Sequence, residues 1–375
     1  MTPGPRAPSL LLVKPAGADC NFRCDYCFYL DAEARAGAAR RRMGDEVLER
    51  MIASYLALDL PVHAFCWQGG EPTLMELDFF RRVTELQERH GRPGTVIANS
   101  LQTNAALIDD AFAGHLADYR FLVGCSLDGP PRLHDRRRRS ADGGATHGLA
   151  VAGLRRLQAR GVAVNALCVV HDVNVGHPRE VFDHLVGLGF DHLQFLPCVE
   201  FGPGGAPRPW TITGRQWGEF LIGIFEAWRD AGLAVSVRNL DAVLQRLVDD
   251  RPGDCTMDDS CRQYLVVEHD GGYYPCDFRA TPAWRLGDVM SMNPAEAMVA
   301  ARMLEFGALK APASPDCPPC RHFDVCRGGC PARRDPREAT AREWLCEGTL
   351  AFLDHARGSL EELAGGIRRA HHDRA

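Results

Sequence analysis

The chain has 375 residues, 46% of them apolar, and a net charge of −6. That length allows two domains or one large one, and the apolar fraction supports a sizeable core. The charge gives no case for general attraction to nucleic acid or membrane, and no run of about 18 apolar residues marks a membrane span.

Met1–Ser9 is Pro-rich with no apolar centre, which does not read as a signal peptide. The expected location is cytoplasmic, a reducing compartment that disfavours disulfides. Of 43 basic residues only Lys14 and Lys310 are lysines, which reads as coding bias. Short apolar runs then alternate with helical periodicities to about residue 235. Strands are predicted at Leu10–Val13, Val62–Trp67, Thr95–Thr103, Phe121–Leu127, Val162–Val170 and His192–Leu196. Helices are predicted near 45–58, 76–90, 107–117, 146–160, 178–188 and 213–231. Such alternation implies an α/β fold with parallel strands and right-handed crossovers. Six units are too few to close an eight-stranded barrel, so an open partial (β/α)6 barrel is expected.

Composition shifts near residue 250 to a segment rich in Cys, Gly and Pro, one more plausibly stapled by metal than held by a core. The expected division is a core domain over 1–235, a Cys-rich domain over 236–350, and a helical tail over 351–375. Helical pattern returns over 340–370, and His371–Ala375 is expected to fray.

Fifteen cysteines need an explanation other than disulfides. Cys66, Cys125 and Cys168 lie in apolar runs, where a small buried thiol is the usual state. Cys20, Cys24 and Cys27 are spaced C-x3-C-x2-C. Three thiolates can hold three irons of a [4Fe–4S] cube and leave the fourth open to a ligand. Zinc normally wants four ligands, and no fourth Cys or His lies close by. Phe22, Tyr26, Phe28 and Tyr29 would shield a cluster from water. In parallel α/β folds ligands gather at the C-terminal ends of strands. The triplet follows the first strand, Gly69-Gly70-Glu71-Pro72 the second, and Ser126-Leu127-Asp128-Gly129 the fourth, all on one rim.

Cys20 to Cys27 closely resembles the signature of radical S-adenosylmethionine (AdoMet) enzymes. The resemblance implies that the open iron chelates AdoMet and that one electron releases a 5′-deoxyadenosyl radical. It also implies Tyr26 near the adenine, Gly69, Gly70 and Glu71 at the AdoMet amino group, and Ser126 and Asp128 near the ribose. Arg138, within the basic cluster 136–139, would meet the AdoMet carboxylate, and Leu196 would pack on the adenine. A bland reading leaves Asp128 as a turn residue before Gly129 and the arginines as a solvated face.

Eight further cysteines crowd the C-terminal part: Cys255, Cys261, Cys276, Cys317, Cys320, Cys326, Cys330 and Cys346. Eight thiolates can fully ligate two cubanes, and two structural zinc sites are the chemical alternative. The spacing resembles the SPASM extension of radical AdoMet enzymes. That resemblance assigns Cys255, Cys261, Cys276 and Cys330 to one cluster and Cys317, Cys320, Cys326 and Cys346 to the other, for three [4Fe–4S] clusters in all.

Trp67-Gln68-Gly69-Gly70-Glu71-Pro72, Ser100-Leu101-Gln102-Thr103-Asn104, Gln194-Phe195-Leu196-Pro197-Cys198 and Tyr274-Pro275-Cys276-Asp277-Phe278 resemble the anaerobic sulfatase-maturating enzymes. Members oxidise a Cys or Ser of a sulfatase, in a C/S-x-P/A-x-R motif, to Cα-formylglycine. The resemblance implies Asp277 as the base, Gln68 as a substrate-orienting residue, and a reductase, flavodoxin or ferredoxin as electron donor. Other peptide-modifying SPASM enzymes, which cross-link or epimerise, are the alternative reading. A non-catalytic electron carrier fits less well with a three-thiol site.

Overall fold

A computed structural model describes residues 7–30, 41–311 and 314–372. The chain forms two compact units. The first draws on Met1–Ser126, Arg138–Val164 and Cys261–Ala308, the second on Leu127–Arg137, Asn165–Ser260 and Leu309–Ala375.

The first unit holds β1 (Leu11–Lys14), β2 (Val62–Trp67), β3 (Val96–Thr103) and β4 (Leu122–Ser126), all parallel. The helices α1 (Asp45–Leu56), α2 (Glu76–His90) and α3 (Asp110–Asp118) connect them. After β4 comes α4 (His147–Ala159), in the same unit. Asp45 and Glu46 favour the positive start of α1, and the Asp109 side chain caps α3 by accepting from the Phe112 amide at 2.7 Å. The core beneath is aromatic, with Tyr55, Phe65, Trp67, Phe80 and Phe121 fully buried. Trp67 donates its indole N–H to Asn99 at 2.9 Å, and Asn99 and Gln87 exchange amide hydrogen bonds. The polar atoms beside the indole are thereby satisfied.

Those strands lie close to their predicted bounds. The Cys-rich segment, however, adds strands to the same sheet. The strand β8 (Leu265–Glu268) pairs parallel with β1, β9 (Gly272–Tyr274) antiparallel with β8, and β10 (Gly287–Asp288) antiparallel with β9. The register sets Lys14 opposite Glu268. Leu12, Val266 and Tyr274 close an apolar patch at this junction.

The second unit takes in most of β5 (Ala163–Val170), which pairs parallel with β6 (His192–Pro197), and β6 pairs with β7 (Ser236–Val237). Around them lie α5 (Pro178–Gly187), α6 (Gly214–Asp230), α7 (Arg238–Asp249) and α10 (Cys346–His372). The first unit's Cys-rich part carries the intervening helices α8 (Pro294–Val299) and α9 (Ala301–Ala308). Thr213 and Gln216 form a capping box that starts α6. At Gly348 a Cβ would sit 1.9 Å from the Gly214 carbonyl, so α10 presses directly on α6. The helix α10 runs through His372, one turn's edge into the stretch expected to fray, while Asp373–Ala375 lies outside the described residues.

Candidate active site

The first three cysteines lie in the loop after β1. Cys24 is buried, and Cys20 and Cys27 are half-buried. Burial pushes the Cys20 thiol well above its usual value, and Glu71, Cys24 and Cys27 add to the push. Three thiols crowded this way resist ionising together, and bound iron relieves that conflict. Among the described residues no three His, Cys, Asp or Glu side chains converge on a single metal-ion position. A polynuclear cluster does not ask for that, since each thiolate binds its own iron. The donor set therefore fits a cubane held by three cysteines.

The glycine motif after β2 is packed on that loop. The Gly70 amide donates to the Gly17 carbonyl and the Glu71 amide to the Asp19 carbonyl, both at 2.8 Å. A Cβ at Gly70 would meet the Asp19 carbonyl at 2.0 Å, so only glycine lets the two backbones touch. Gly69 precedes it with φ +118°. The Glu71 carboxylate is turned inward. It accepts from the Thr73 amide and hydroxyl, the Thr103 hydroxyl and the Asn104 amide. Burial raises its pKa, and those donors counter the rise. Glu71 thus shapes the rim through its interior contacts. Asn104 carries the link onward, donating to Asn21 at 2.8 Å beside Cys20.

Of the four clustered arginines, Arg138 is the buried one, while Arg136 and Arg139 are exposed and Arg137 pairs with Asp172. Its guanidinium lies 5.4 Å from the Tyr26 ring centre and 4.0 Å from the Cys24 sulfur. Ser126 accepts a hydrogen bond from Gln102 at 3.1 Å. In the second unit, Asp128 is fully buried. Its carboxylate accepts the Val169 amide at 2.9 Å and lies 3.7 Å from His171, so its visible work is to join strand ends. Leu196 on β6 is 36% exposed, an apolar surface available to a flat ligand.

Asp277 follows Cys276 in the turn after β9. Its Oδ2 accepts the Tyr29 hydroxyl at 2.5 Å and the Gln68 amide at 3.0 Å. Its Oδ1 is buried, takes no hydrogen bond from the described residues, and faces the Lys14 ammonium at 3.3 Å. Lys14 in turn pairs with Glu268 at 2.6 Å and lies 4.5 Å from the Tyr29 ring centre. Burial, then Asp277, holds the Tyr29 phenol far above its usual pKa, so it stays a donor. Sequence reasoning brought Asp277 and Gln68 together but passed over Tyr29, Lys14 and Glu268. Tyr29 was visible only as one of four aromatics, and Lys14 only as a rare lysine. The rings of Phe28 and Phe278, which neighbour Tyr29 and Asp277 in sequence, lie 5.0 Å apart and tilted at 42°, with Phe278 60% exposed.

The later cysteines divide by unit. In the second, burial and then Cys320 raise the Cys317 thiol. Burial raises Cys326, with Cys317 adding to it. Cys346 is pushed to about 11 by burial, Cys326 and Cys317. Cys317, Cys320, Cys326 and Cys346 thus share one neighbourhood, and four thiols there fit a fully ligated cluster. Cys330 acts on the nearby Arg333, whose partner is Glu343, and Cys255 is exposed at the start of a turn capped by Asp254. In the first unit Cys261 and Cys276 are half-buried, and the Tyr264 hydroxyl lies 3.7 Å from the Cys276 sulfur.

A three-thiol loop at the strand ends of a parallel α/β sheet, glycines packed on it, and a Cys-rich extension together define a radical AdoMet enzyme. Residues 15–188 match the radical SAM superfamily. A cysteine-type anaerobic sulfatase-maturating enzyme from Clostridium perfringens is 34% identical, covering 96% of this chain and all of that one. A serine-type anaerobic sulfatase-maturating enzyme from Bacteroides thetaiotaomicron is 32% identical, covering 93% and 89%. A solved structure of native anSMEcpe with bound AdoMet and the Cp18Cys peptide matches with a TM-score of 0.88 at 33% identity, covering 95% and 99%.

The chain belongs to the anaerobic sulfatase-maturating enzymes. It is a radical AdoMet oxidoreductase of SPASM architecture that uses AdoMet and [4Fe–4S] clusters to oxidise a sulfatase Cys or Ser to Cα-formylglycine. No helix among the described residues is long and apolar enough to cross a membrane.

Proposed function

We propose that Asp277 is the base of this oxidation, with Gln68 orienting the substrate side chain. The observation that carries this reading is the asymmetry of the carboxylate. Oδ2 is occupied by Tyr29 and Gln68, while buried Oδ1, facing the Lys14 ammonium at 3.3 Å, takes no hydrogen bond from the described residues. A substrate thiol or hydroxyl can supply that donor, within the reach general-base catalysis requires.

When bound, the three clusters and AdoMet supply a 5′-deoxyadenosyl radical that takes the substrate Cβ hydrogen, and an acceptor for the one further electron that leaves. Asp277 takes the thiol or hydroxyl proton at Oδ1. The loss of one hydrogen atom, one proton and one electron leaves a C=S or C=O double bond. Water then converts the thioaldehyde to the aldehyde, releasing hydrogen sulfide. Tyr29 keeps its proton throughout and holds the carboxylate by donating to Oδ2.

Cys20, Cys24 and Cys27 hold the AdoMet cluster in this reading. Cys255, Cys261, Cys276 and Cys330 ligate one auxiliary cluster, and Cys317, Cys320, Cys326 and Cys346 the other. Tyr26, Gly69, Gly70, Ser126, Arg138 and Leu196 line the AdoMet site. Glu71 and Asp128 contribute by fixing the backbone around it. The functional division is a core over 1–235, the auxiliary-cluster domain over 236–350 and the tail beyond. A sulfatase polypeptide is the substrate, a reductase, flavodoxin or ferredoxin the electron donor, and the cytoplasm the location.

The test is Asp277→Asn with AdoMet, a reductant and a C/S-x-P/A-x-R peptide under anaerobic conditions. Formylglycine should fall at least about a hundredfold while 5′-deoxyadenosine still forms. Equal loss of both products would remove Asp277 from the base role.

A further inference from the structure

Outside the groups already given roles, the most heavily buried charge near the site belongs to Lys14. It is 3% exposed, at the end of β1. We infer that Lys14, backed by Glu268, is the positioning pair that aims Asp277 at the substrate, an inference that rests on Asp277 being the base.

Three observations carry it. The first is geometric. A carboxylate held only at Oδ2, by a hydroxyl and an amide, can still pivot about that oxygen. Lys14 stands 3.3 Å from the other oxygen and removes that freedom without taking the hydrogen-bonding site. The ammonium also lies over the Tyr29 ring at 4.5 Å, so one cation fixes both the base and the phenol that donates to it.

The second is topological. The parallel register of β1 and β8 sets Lys14 directly against Glu268, and the 2.6 Å pair is therefore built into the sheet. A buried ammonium without such a partner would be costly. Glu268 neutralises it, and His269 lies 3.6 Å beyond Glu268, towards partly exposed surface. The same sheet segment leads through β9 into Cys276 and Asp277. The base and its aiming cation thus hang from β9 and β1 of one sheet, with β8 between them.

The third is in the composition. The chain writes all but two of its 43 basic residues as arginine. Both lysines, Lys14 and Lys310, are buried, and Lys310 donates to the Arg327 and Gly329 carbonyls. A bias strong enough to turn nearly every cation into arginine leaves lysine where a compact ammonium fits and a forked guanidinium does not. Lysine at position 14 thus reads as a requirement of the site.

The test compares Lys14→Met, Lys14→Arg and Glu268→Gln with the wild-type holoenzyme and with Asp277→Asn. Formylglycine, 5′-deoxyadenosine and iron are measured while the peptide concentration is varied. Lys14→Met should lower kcat for formylglycine by about ten- to a hundredfold, the penalty for a misplaced catalytic group. KM for the peptide should stay within about twofold of wild type, and deoxyadenosine released per formylglycine should rise. Lys14→Arg should restore less than half of the lost rate, because its charge is right and its shape is not. Glu268→Gln should move kcat in the same direction by a smaller factor. Wild-type kcat in Lys14→Met overturns the inference, as does a rise in KM at unchanged kcat. If Lys14→Met does not retain its iron, Glu268→Gln decides, and wild-type kcat there also overturns it. Failure of Asp277→Asn to lose product would instead overturn the base assignment, so the two failures are distinguishable.

Discussion

Glu71 Oε2 accepts the Asn104 backbone amide at 2.8 Å, joining the loop after β2 to the end of β3. The same carboxylate holds Thr73 and Thr103, and Asn104 reaches on to Asn21 beside Cys20. One buried anion therefore braces the loop that carries the first cysteines. Replacing Glu71 by Ala leaves several buried donors without their acceptor. Each orphan costs about 1–3 kcal/mol, so the variant should lose about 3 kcal/mol or more of stability. Anaerobic unfolding in denaturant measures it, and iron content should fall as the Cys20 loop loosens. An unchanged midpoint would show that Glu71 is not a brace.

Arg138 is the one arginine of its cluster turned into the site, against Tyr26 and the Cys24 sulfur. A buried guanidinium suits a bidentate carboxylate partner, and such charge-assisted pairs are worth about 1.5–3 kcal/mol. Arg138→Met should weaken AdoMet binding about ten- to a hundredfold, with Lys recovering only part. Arg136→Met, on an exposed side chain, should leave binding within about twofold. Equilibrium dialysis of AdoMet against the reconstituted proteins decides. Equal effects at both positions would remove the selectivity assigned to Arg138.

Much of the barrel was legible because its signals are local. Val62–Trp67 and the helix after Glu76 have their bounds written in alternation and periodicity. The strands β8, β9 and β10 were not, because they lie in a Cys-rich segment without strand–helix alternation and take their identity from pairing outward from β1. The site divides the same way. Cysteine spacing announces itself, whereas the Lys14–Glu268–Asp277 cluster exists only through strand register. The Glu71 side chain shows the limit of a motif. The string marks the rim, but which way a carboxylate turns depends on donors at Thr73 and at the distant end of β3.

Cys346 opens α10 in the neighbourhood of Cys317 and Cys326. A thiolate at a helix start is favoured by the helix dipole, and a cluster there would also tie the 27-residue helix to the Cys-rich loops. Cys346→Ser should therefore lower bound iron from about twelve to about eight per chain, one cubane fewer. Thermal unfolding should come earlier, because the link between α10 and the loops is lost. Iron and sulfide counts equal to wild type would take Cys346 out of the ligand set.

The Lys14–Glu268 pair also makes a prediction about pH. Burial alone would raise the Glu268 carboxyl, but His269 and Lys14 outweigh it and hold the group below its usual 4.5. A depressed carboxyl stabilises the fold above its unfolded pKa and loses that contribution as pH falls through the folded value. Burial alone would lower Lys14, but Asp277 and Glu268 outweigh it and hold the ammonium above its usual 10.5. A raised ammonium stabilises the fold below its unfolded pKa and loses that contribution as pH rises through the folded value. The pair is therefore intact across the whole window from about 4.5 to about 10.5 and fails only beyond either end. Glu268→Gln should cost stability at the low end of the ~3–5 kcal/mol range for breaking a buried pair, because Asp277 still faces Lys14. That cost should persist from about pH 5 to about pH 10 and shrink below about 4.5, where wild-type Glu268 itself protonates. Unfolding midpoints of the two proteins across pH measure it. A difference that varies around neutrality would mean that a group other than this pair titrates with it.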